Sequence, residues 1–266
     1  MDNSPLITLT TDFGLQDGFV GILKGVLLGI CPTARLVDLS HAVPPQDVAA
    51  GALLLVRAAP YFPPGTVHLA VVDPGVGTGR RGLAARMGDA FFIGPDNGLF
   101  TSVLDRAERA GLPVEFVELV RERYRLPSVS RTFHGRDIFA PAAAHLANGV
   151  PLVEFGPPVT DPVRIQLSRA EKTPAGWQAH VLAVDTFGNL ATDLPVEAIS
   201  DPERVTVRLG GWEVRGLVGA YGDRPPGELV ALADSAGRLE LAVVNGSAAR
   251  RTGAIVGSVL EVVESN

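Results

Sequence analysis

Asp73 closes the apolar run TVHLAVV (66–72). Pro74, three glycines at 75, 77 and 79, and the pair Arg80-Arg81 follow at once. A carboxylate and a guanidinium seven residues apart across a glycine-rich turn can fold back on each other. Arg80 then supplies a permanent cation beside a group able to accept a proton. Pro74 biases Asp73 toward extended backbone, so the strand can end with its carboxylate at the sheet mouth. Asp12, in TTDFG, takes the matching place after the first apolar run, LITLT (6–10). His134, in TFHGRD, stands just before a helical pattern, where free first-turn amides favour an anion.

Plainer readings exist for each. Asp-Pro-Gly is also an ordinary turn, and a lone His is often structural. Asp12, Asp73 and His134 have metal-ligating side chains, but no His pair has ligand spacing, so no metal is expected. Gly75-Val-Gly77 lacks the spacing of a dinucleotide fingerprint, and there is no Gly-Lys-Ser/Thr phosphate loop. Farther along, GPDNGLF (94–100) has the composition of a tight turn. In DTFGNLATDL (185–194), Phe187 and Asn189 offer an aromatic face and an amide able to sandwich and read a purine edge. Ser235 and Asn245 sit at the polar ends of a strand pattern as caps or ligand contacts.

Such groups need rigid elements to aim them. The first half alternates strand and helix patterns: strands at 6–10, 35–40, 66–72, 90–94 and 114–119, and helices at 17–30, 46–62 and 134–149. The helix at 17–30 is read with Phe19, Ile22, Leu23, Val26, Leu27 and Ile30 on one face, and Asp47 near the start of the second suits the helix dipole. This rhythm predicts an α/β domain with a mostly parallel sheet and helices on both faces, over residues 1–160. Ligand groups then belong outside the carboxyl ends of the strands, where Asp12 and Asp73 fall. A proline-rich linker, FGPPVTDPVR (155–164), leads into residues 161–266. There, strand-like runs punctuated by Gly, Asp and Asn predict an all-β, barrel-like domain.

The bulk composition narrows the class. The chain has 266 residues, 46% hydrophobic and 20% charged, enough for a sizeable core. A net charge of −6 argues against a general nucleic-acid binder. One cysteine, Cys31, excludes an internal disulfide framework. No apolar run is long enough to span a membrane, and the first residues lack a secretory pattern, so a soluble cytoplasmic protein is expected.

The segments TTDFGLQDGFVGILKGV, VDLSHAVPPQD, YFPPGTVHLAVVDPGVGTGRR, GPDNGLF, TFHGRDIFAPAAAHLANG, DTFGNLATDL and NGSAA together resemble the S-adenosyl-L-methionine (SAM) hydrolases, or SAM hydroxide adenosyltransferases. These are relatives of the fluorinating and chlorinating SAM enzymes. The resemblance runs from about residue 6 to 250. It implies an α/β domain followed by a β-barrel, and homotrimers with active sites between the first domain of one subunit and the second of the next. The implied reaction cleaves SAM with water to adenosine and L-methionine, with SAM as substrate and no cofactor. It places catalytic roles on Asp73, Arg80 and His134, substrate binding on Asp73 as well, ribose binding on Asp12, adenine contacts on Phe187 and Asn189, and further nucleoside and methionine contacts on Ser235, Glu240 and Val243. Halide-using relatives carry Tyr in place of Asp73, Ser in place of Gly135, and an insertion after the VVDPGVG equivalent. All three departures point to water as nucleophile. The competing readings are a chloride-using halogenase, a non-catalytic adenosine or SAM binder, and a metal-dependent hydrolase.

Overall fold

β1 (Leu6–Thr11) consists of apolar and β-branched residues and is almost wholly buried, as a strand inside a covered parallel sheet must be. α1 (Phe19–Ile30) leads to β2 (Arg35–Ser40), and α2 (Val48–Ala58) leads to β3 (Val67–Val71). β1 pairs in parallel with both β2 and β3. β4 (Gly82–Met87) and β5 (Ala90–Pro95) form a hairpin, α3 (Thr101–Arg109) follows, and β6 (Val114–Glu118) completes a sheet of order β2-β1-β3-β5-β4-β6. β3 and β5 are parallel, while β4 runs antiparallel to β5 and β6, so the sheet is mixed. α4 (Ala140–Ala147) packs with α1 against one face of the sheet, over Leu9, Leu69 and Ile93. α2 and α3 cover the other face, over Ala70, Leu83 and Phe92.

The computed structural model describes residues 4–264. The chain divides after Ile165 into two compact units. Residues 161–165 are tied to the first: the Val163 amide donates to Asp96 at 2.7 Å and the Ile165 amide to Thr101 at 3.0 Å.

The structure corrects several details of the pattern reading. α1 buries Val20, Leu23 and Leu27 and leaves Phe19 and Ile22 exposed. Its sequence is apolar all round, so periodicity could not choose the inward face. β4 and α3 were not anticipated. GLAARM has only one branched aliphatic residue, and pairing on both edges overrides that weak propensity. The helical segment after His134 opens with a π turn over Gly135–Phe139, a local widening that recurs at functional sites.

His68 lies wholly inside the first unit, stacked on Phe92 with ring centroids 4.9 Å apart and bonded through Nδ1 to Thr8 Oγ1 at 2.7 Å. Burial pushes its pKa from 6.5 down to about 4. The unfolded chain takes up a proton below pH 6.5 that the folded chain refuses, so stability falls as pH drops through that window. Urea unfolding should show wild type losing about 2 kcal/mol more than His68→Gln between pH 7 and pH 5, at 1.36 kcal/mol per pKa unit. Equal losses would contradict a neutral buried imidazole.

The strands of the second unit pair antiparallel throughout, and one α-helix accompanies them. The unit contains β7 (Glu171–Thr173), β8 (Gly176–Val184), β9 (Leu190–Pro195), β10 (Thr206–Leu209), β11 (Trp212–Arg215), β12 (Leu229–Ala233), β13 (Arg238–Val243), α5 (Ala248–Thr252) and β14 (Val259–Val263). The sheet order is β11-β10-β14-β8-β9-β13-β12, with β7 beside β8. Val218, just past β11, bridges to Leu232 of β12 and brings the two edges together, so the sheet curls into a nearly closed barrel. Val181, Leu190, Leu241 and Leu260 fill its interior. Among the described residues, no helix is long and apolar enough to cross a membrane.

Candidate active site

Asp73 lies two residues beyond β3, and Asp12 one beyond β1. The register sets Thr11 opposite Val71, so both acids emerge at the same carboxyl edge of the sheet. Between Asp73 and Arg80 the chain makes two tight turns, with Val76 N–H donating to Asp73 O and Thr78 N–H to Gly75 O, each at 3.2 Å. Only one of the three glycines is required by backbone geometry. Gly77 has φ of 77°, and a Cβ there would collide with the Arg131 carbonyl. The loop thus presses against the segment that leads to His134.

Arg80 folds back on Asp73. Its Nε donates to Oδ1 at 2.8 Å and to Oδ2 at 3.1 Å, and its Nη2 pairs with Oδ2. The same Nη2 reaches His134 Nδ1 at 3.0 Å. Both ionic side chains are nearly closed off, 10% and 6% exposed, which strengthens the pair relative to one in open water. The guanidinium also lies over the Phe139 ring, 5.0 Å from its centroid, a cation–π contact supplied by the π turn.

An arginine only donates, so His134 Nδ1 is the acceptor and the neutral ring carries its proton on Nε2. Burial is the main cause lowering the His134 pKa below 6.5. Arg80 adds to the lowering, and Asp73 and Asp137 oppose it. The imidazole is therefore neutral at pH 7. Gly135 gives Phe13, the neighbour of Asp12, close access: a Cβ there would meet Phe13 Cζ at 3.3 Å. Asp12 Oδ2 accepts the Gln46 amide at 2.8 Å. Gln46 holds a left-handed φ of 65°, a strained conformation of the kind that collects at functional sites.

In the second unit, Phe187, Asn189 and Val243 line a cavity of about 640 Å³ together with Asp185, Tyr221, Asn245 and Arg250. Asp185 organises its floor. Oδ1 accepts the amides of Phe187 at 2.9 Å and Asn189 at 2.8 Å, and Oδ2 takes Asn189 Nδ2 at 2.9 Å. Because a carboxylate only accepts, this fixes the Asn189 amide and leaves its Oδ1 as the unengaged end. The Phe187 ring is 76% exposed. Glu240 is buried and does not line this cavity. It receives the Tyr221 hydroxyl at 2.7 Å, which pushes the Tyr221 pKa up to about 12. Ser235 is exposed in the turn between β12 and β13, outside the cavity.

The sequence singled out eight of the residues in these two places: Asp12, Asp73, Arg80 and His134 in the first unit, and Phe187, Asn189, Val243 and Asn245 in the second. It missed Gln46, Asp185 and Tyr221. Asp185 had a readable signal, since Asp followed two and four residues on by bonded amides is an Asx turn. Tyr221 lies in a loop with no periodic pattern.

An open α/β sheet with an acid–arginine–histidine cluster at its carboxyl edge, followed by a β-barrel with an aromatic, amide-lined cavity, defines a two-domain class of α/β sheet plus barrel. Residues 7–156 match the family model described as the SAM hydroxide adenosyltransferase N-terminal domain, and residues 179–261 match that of the C-terminal domain. The chain belongs to the SAM hydroxide adenosyltransferase family. It is 45% identical to the (R)-S-adenosyl-L-methionine hydrolase of Salinispora tropica, over 98% of this chain and 99% of that one. A fluorinase of an Actinoplanes species is more distant, 31% identical over 73% of this chain and 72% of its own. Among solved structures, an uncharacterized conserved protein from Thermotoga maritima has a TM-score of 0.90 and 36% identity, covering 97% of this chain and all of that one.

Proposed function

We propose that this chain hydrolyses S-adenosyl-L-methionine to adenosine and L-methionine, with water displacing the thioether at the 5′ carbon. The carrying observation is the Asp73–Arg80–His134 cluster, supported by 45% identity to a relative of that name across nearly the whole chain. The L prefix already fixes the α-carbon, so the (R) in the relative's name refers to the sulfonium, and that epimer is the proposed substrate.

The sulfonium leaves as a neutral thioether and needs no acid. The difficulty lies with water, whose pKa of about 15.7 makes it a poor nucleophile unless polarised. The hydrogen-bond directions support one division of roles. Arg80 and the His134 Nε2–H are donors, and Asp73 is the acceptor of the three. A water held among them accepts one hydrogen bond from this donor side and gives a proton to Asp73 as its free lone pair bonds to the 5′ carbon. The carbon–sulfur bond breaks with its electron pair moving to sulfur. Asp12 has lone pairs left beyond the Gln46 contact for the ribose hydroxyls. Holding the sugar in line with water and sulfur is worth several kcal/mol, up to roughly 7–11 in ideal cases. In the barrel cavity, Asn189 Oδ1 suits the exocyclic amine of adenine, and Phe187 and Tyr221 offer ring faces. Glu240 acts through Tyr221, and Val243 adds apolar wall.

The cluster and the purine cavity belong to different units. The reading brings them together between subunits of a cytoplasmic homotrimer that uses no metal or other cofactor.

Incubation with each sulfonium epimer in oxygen-18 water, with and without chloride and a chelator, tests the reaction. Adenosine labelled at its 5′ hydroxyl, formed from the (R) epimer in every condition, is expected. Unlabelled adenosine would rule out direct displacement by water. A 5′-chloro nucleoside would make the chain a halogenase, loss of turnover with chelator a metal hydrolase, and absence of any product a binder.

A further inference from the structure

The loop 72–81 carries Asp73 and Arg80 from β3 to β4, and β5 lies between those strands in the sheet. The loop must therefore arch across the carboxyl end of β5. The turn that follows β5, with Asp96 and Asn97, bonds to both legs of the arch. On the β3 side, Asn97 Nδ2 donates to the carbonyl of Val72, the residue before Asp73, at 2.8 Å. On the β4 side, the buried Asp96 carboxylate accepts Arg81 Nε at 2.7 Å and Nη2 at 2.6 Å. The Asp96 amide donates to Arg81 O at 3.0 Å, and that carbonyl also receives Arg80 Nη1 at 3.4 Å. Arg81 reaches on to Asp161 at 2.8 Å.

We infer that Asn97 and Asp96 are positioning residues that set the separation between Asp73 and Arg80 by fixing the two feet of the loop that carries them. The second arginine of the Arg80-Arg81 pair has its place here. Arg81 is spent on Asp96 and Asp161, and this anchors the backbone from which Arg80 reaches back to Asp73. The inference rests on the catalytic reading of Asp73 and Arg80.

Asn97→Asp separates positioning from simple support of the turn. The side chain keeps an oxygen for the Leu99 amide, which Asn97 Oδ1 now accepts at 3.2 Å, but replaces the donor facing Val72 O with an acceptor. The expected result is a kcat reduced by roughly 10- to 100-fold, since a misplacement of about 1 Å can cost 10²-fold. KM and thermal midpoint should stay near wild type. By nitrogen-15 NMR, His134 should titrate at higher pH than in wild type, because a displaced Arg80 no longer lowers its pKa. Asp96→Asn, which removes the counter-charge of Arg81 and leaves one oxygen for both Arg81 and the Val163 amide, should reproduce the split if the first variant folds poorly.

Asp73→Asn serves as the companion variant. If it loses turnover while Asn97→Asp keeps wild-type kcat and His134 titration, the positioning inference is overturned and the catalytic reading stands. If Asp73→Asn retains full turnover, the catalytic reading fails, and the His134 titration still reports whether the turn sets the loop. A parallel loss of kcat, KM and thermal midpoint in both turn variants would mark the turn as merely structural and overturn the inference.

Discussion

Asp73→Asn lowers kcat by about 10²- to 10⁴-fold, the range for removing a positioned proton acceptor. The substitution preserves shape and leaves one oxygen for Arg80, but the amide cannot take the proton of the attacking water. It also faces a guanidinium that is 10% exposed and now lacks its counter-charge. Binding of SAM should change far less, because the proposed ribose and purine contacts lie on Asp12, Phe187 and Asn189. Arg80→Ala and His134→Ala should also lose turnover strongly while keeping affinity. Groups that act as a unit do not add, so Asp73→Asn with Arg80→Ala should be little worse than the more damaging single variant. Adenosine release followed by chromatography, beside calorimetric affinity, reads both quantities. Undiminished turnover in all three single variants would remove the cluster from the mechanism.

Asp137→Ala should destabilise the fold and impair catalysis together. The Asp137 side chain is wholly buried and accepts Ser130 N at 2.8 Å, Ser130 Oγ at 2.7 Å, and Arg136 Nε at 2.5 Å. Burial alone would raise its pKa, but the bonds from Arg136 and Ser130 outweigh it and hold the carboxyl below 3.8. Ser130 Oγ in turn accepts the Phe133 amide at 3.1 Å, and Leu126 N–H donates to Asp137 O at 2.9 Å. One carboxylate thus pins the segment that delivers His134. Losing its two bonds from Ser130 should cost about 3 kcal/mol, at roughly 1.5 each for bonds to a charged group. Turnover should fall toward the ~10²-fold loss that a 1 Å misplacement brings. Asp137→Asn, which still accepts from Ser130, should show a smaller loss of both. Denaturant unfolding and steady-state kinetics check the pair. An alanine variant with wild-type kcat would show that His134 is placed without this anchor.

Some features were plain in the chain itself. The strands at 6–10 and 66–72 are largely apolar runs, the strand at 35–40 carries Leu36, Val37 and Leu39 among polar residues, and their alternation with helices leaves few topologies other than a covered sheet. The acids at the ends of two such runs then had to lie at one edge. The mixed character of the sheet was not legible, because β4 takes its conformation from neighbours on both sides rather than from its own residues. The inward face of α1 was hidden for a related reason: an apolar helix carries no polar stripe to mark its outside.

The residue types of the reactive cluster, and the fold that gathers them, follow from the sequence because periodicity and turn chemistry are local properties. The direction of each hydrogen bond does not. That Arg80 donates to His134 Nδ1, fixing the proton on Nε2 and leaving Asp73 as acceptor, depends on side chains 54 positions apart. That Asn97 and Asp96 brace both feet of the 72–81 loop depends on β5 inserting between β3 and β4, two strands that are consecutive in the chain. Such relations belong to three-dimensional packing, and only the tertiary structure decided them.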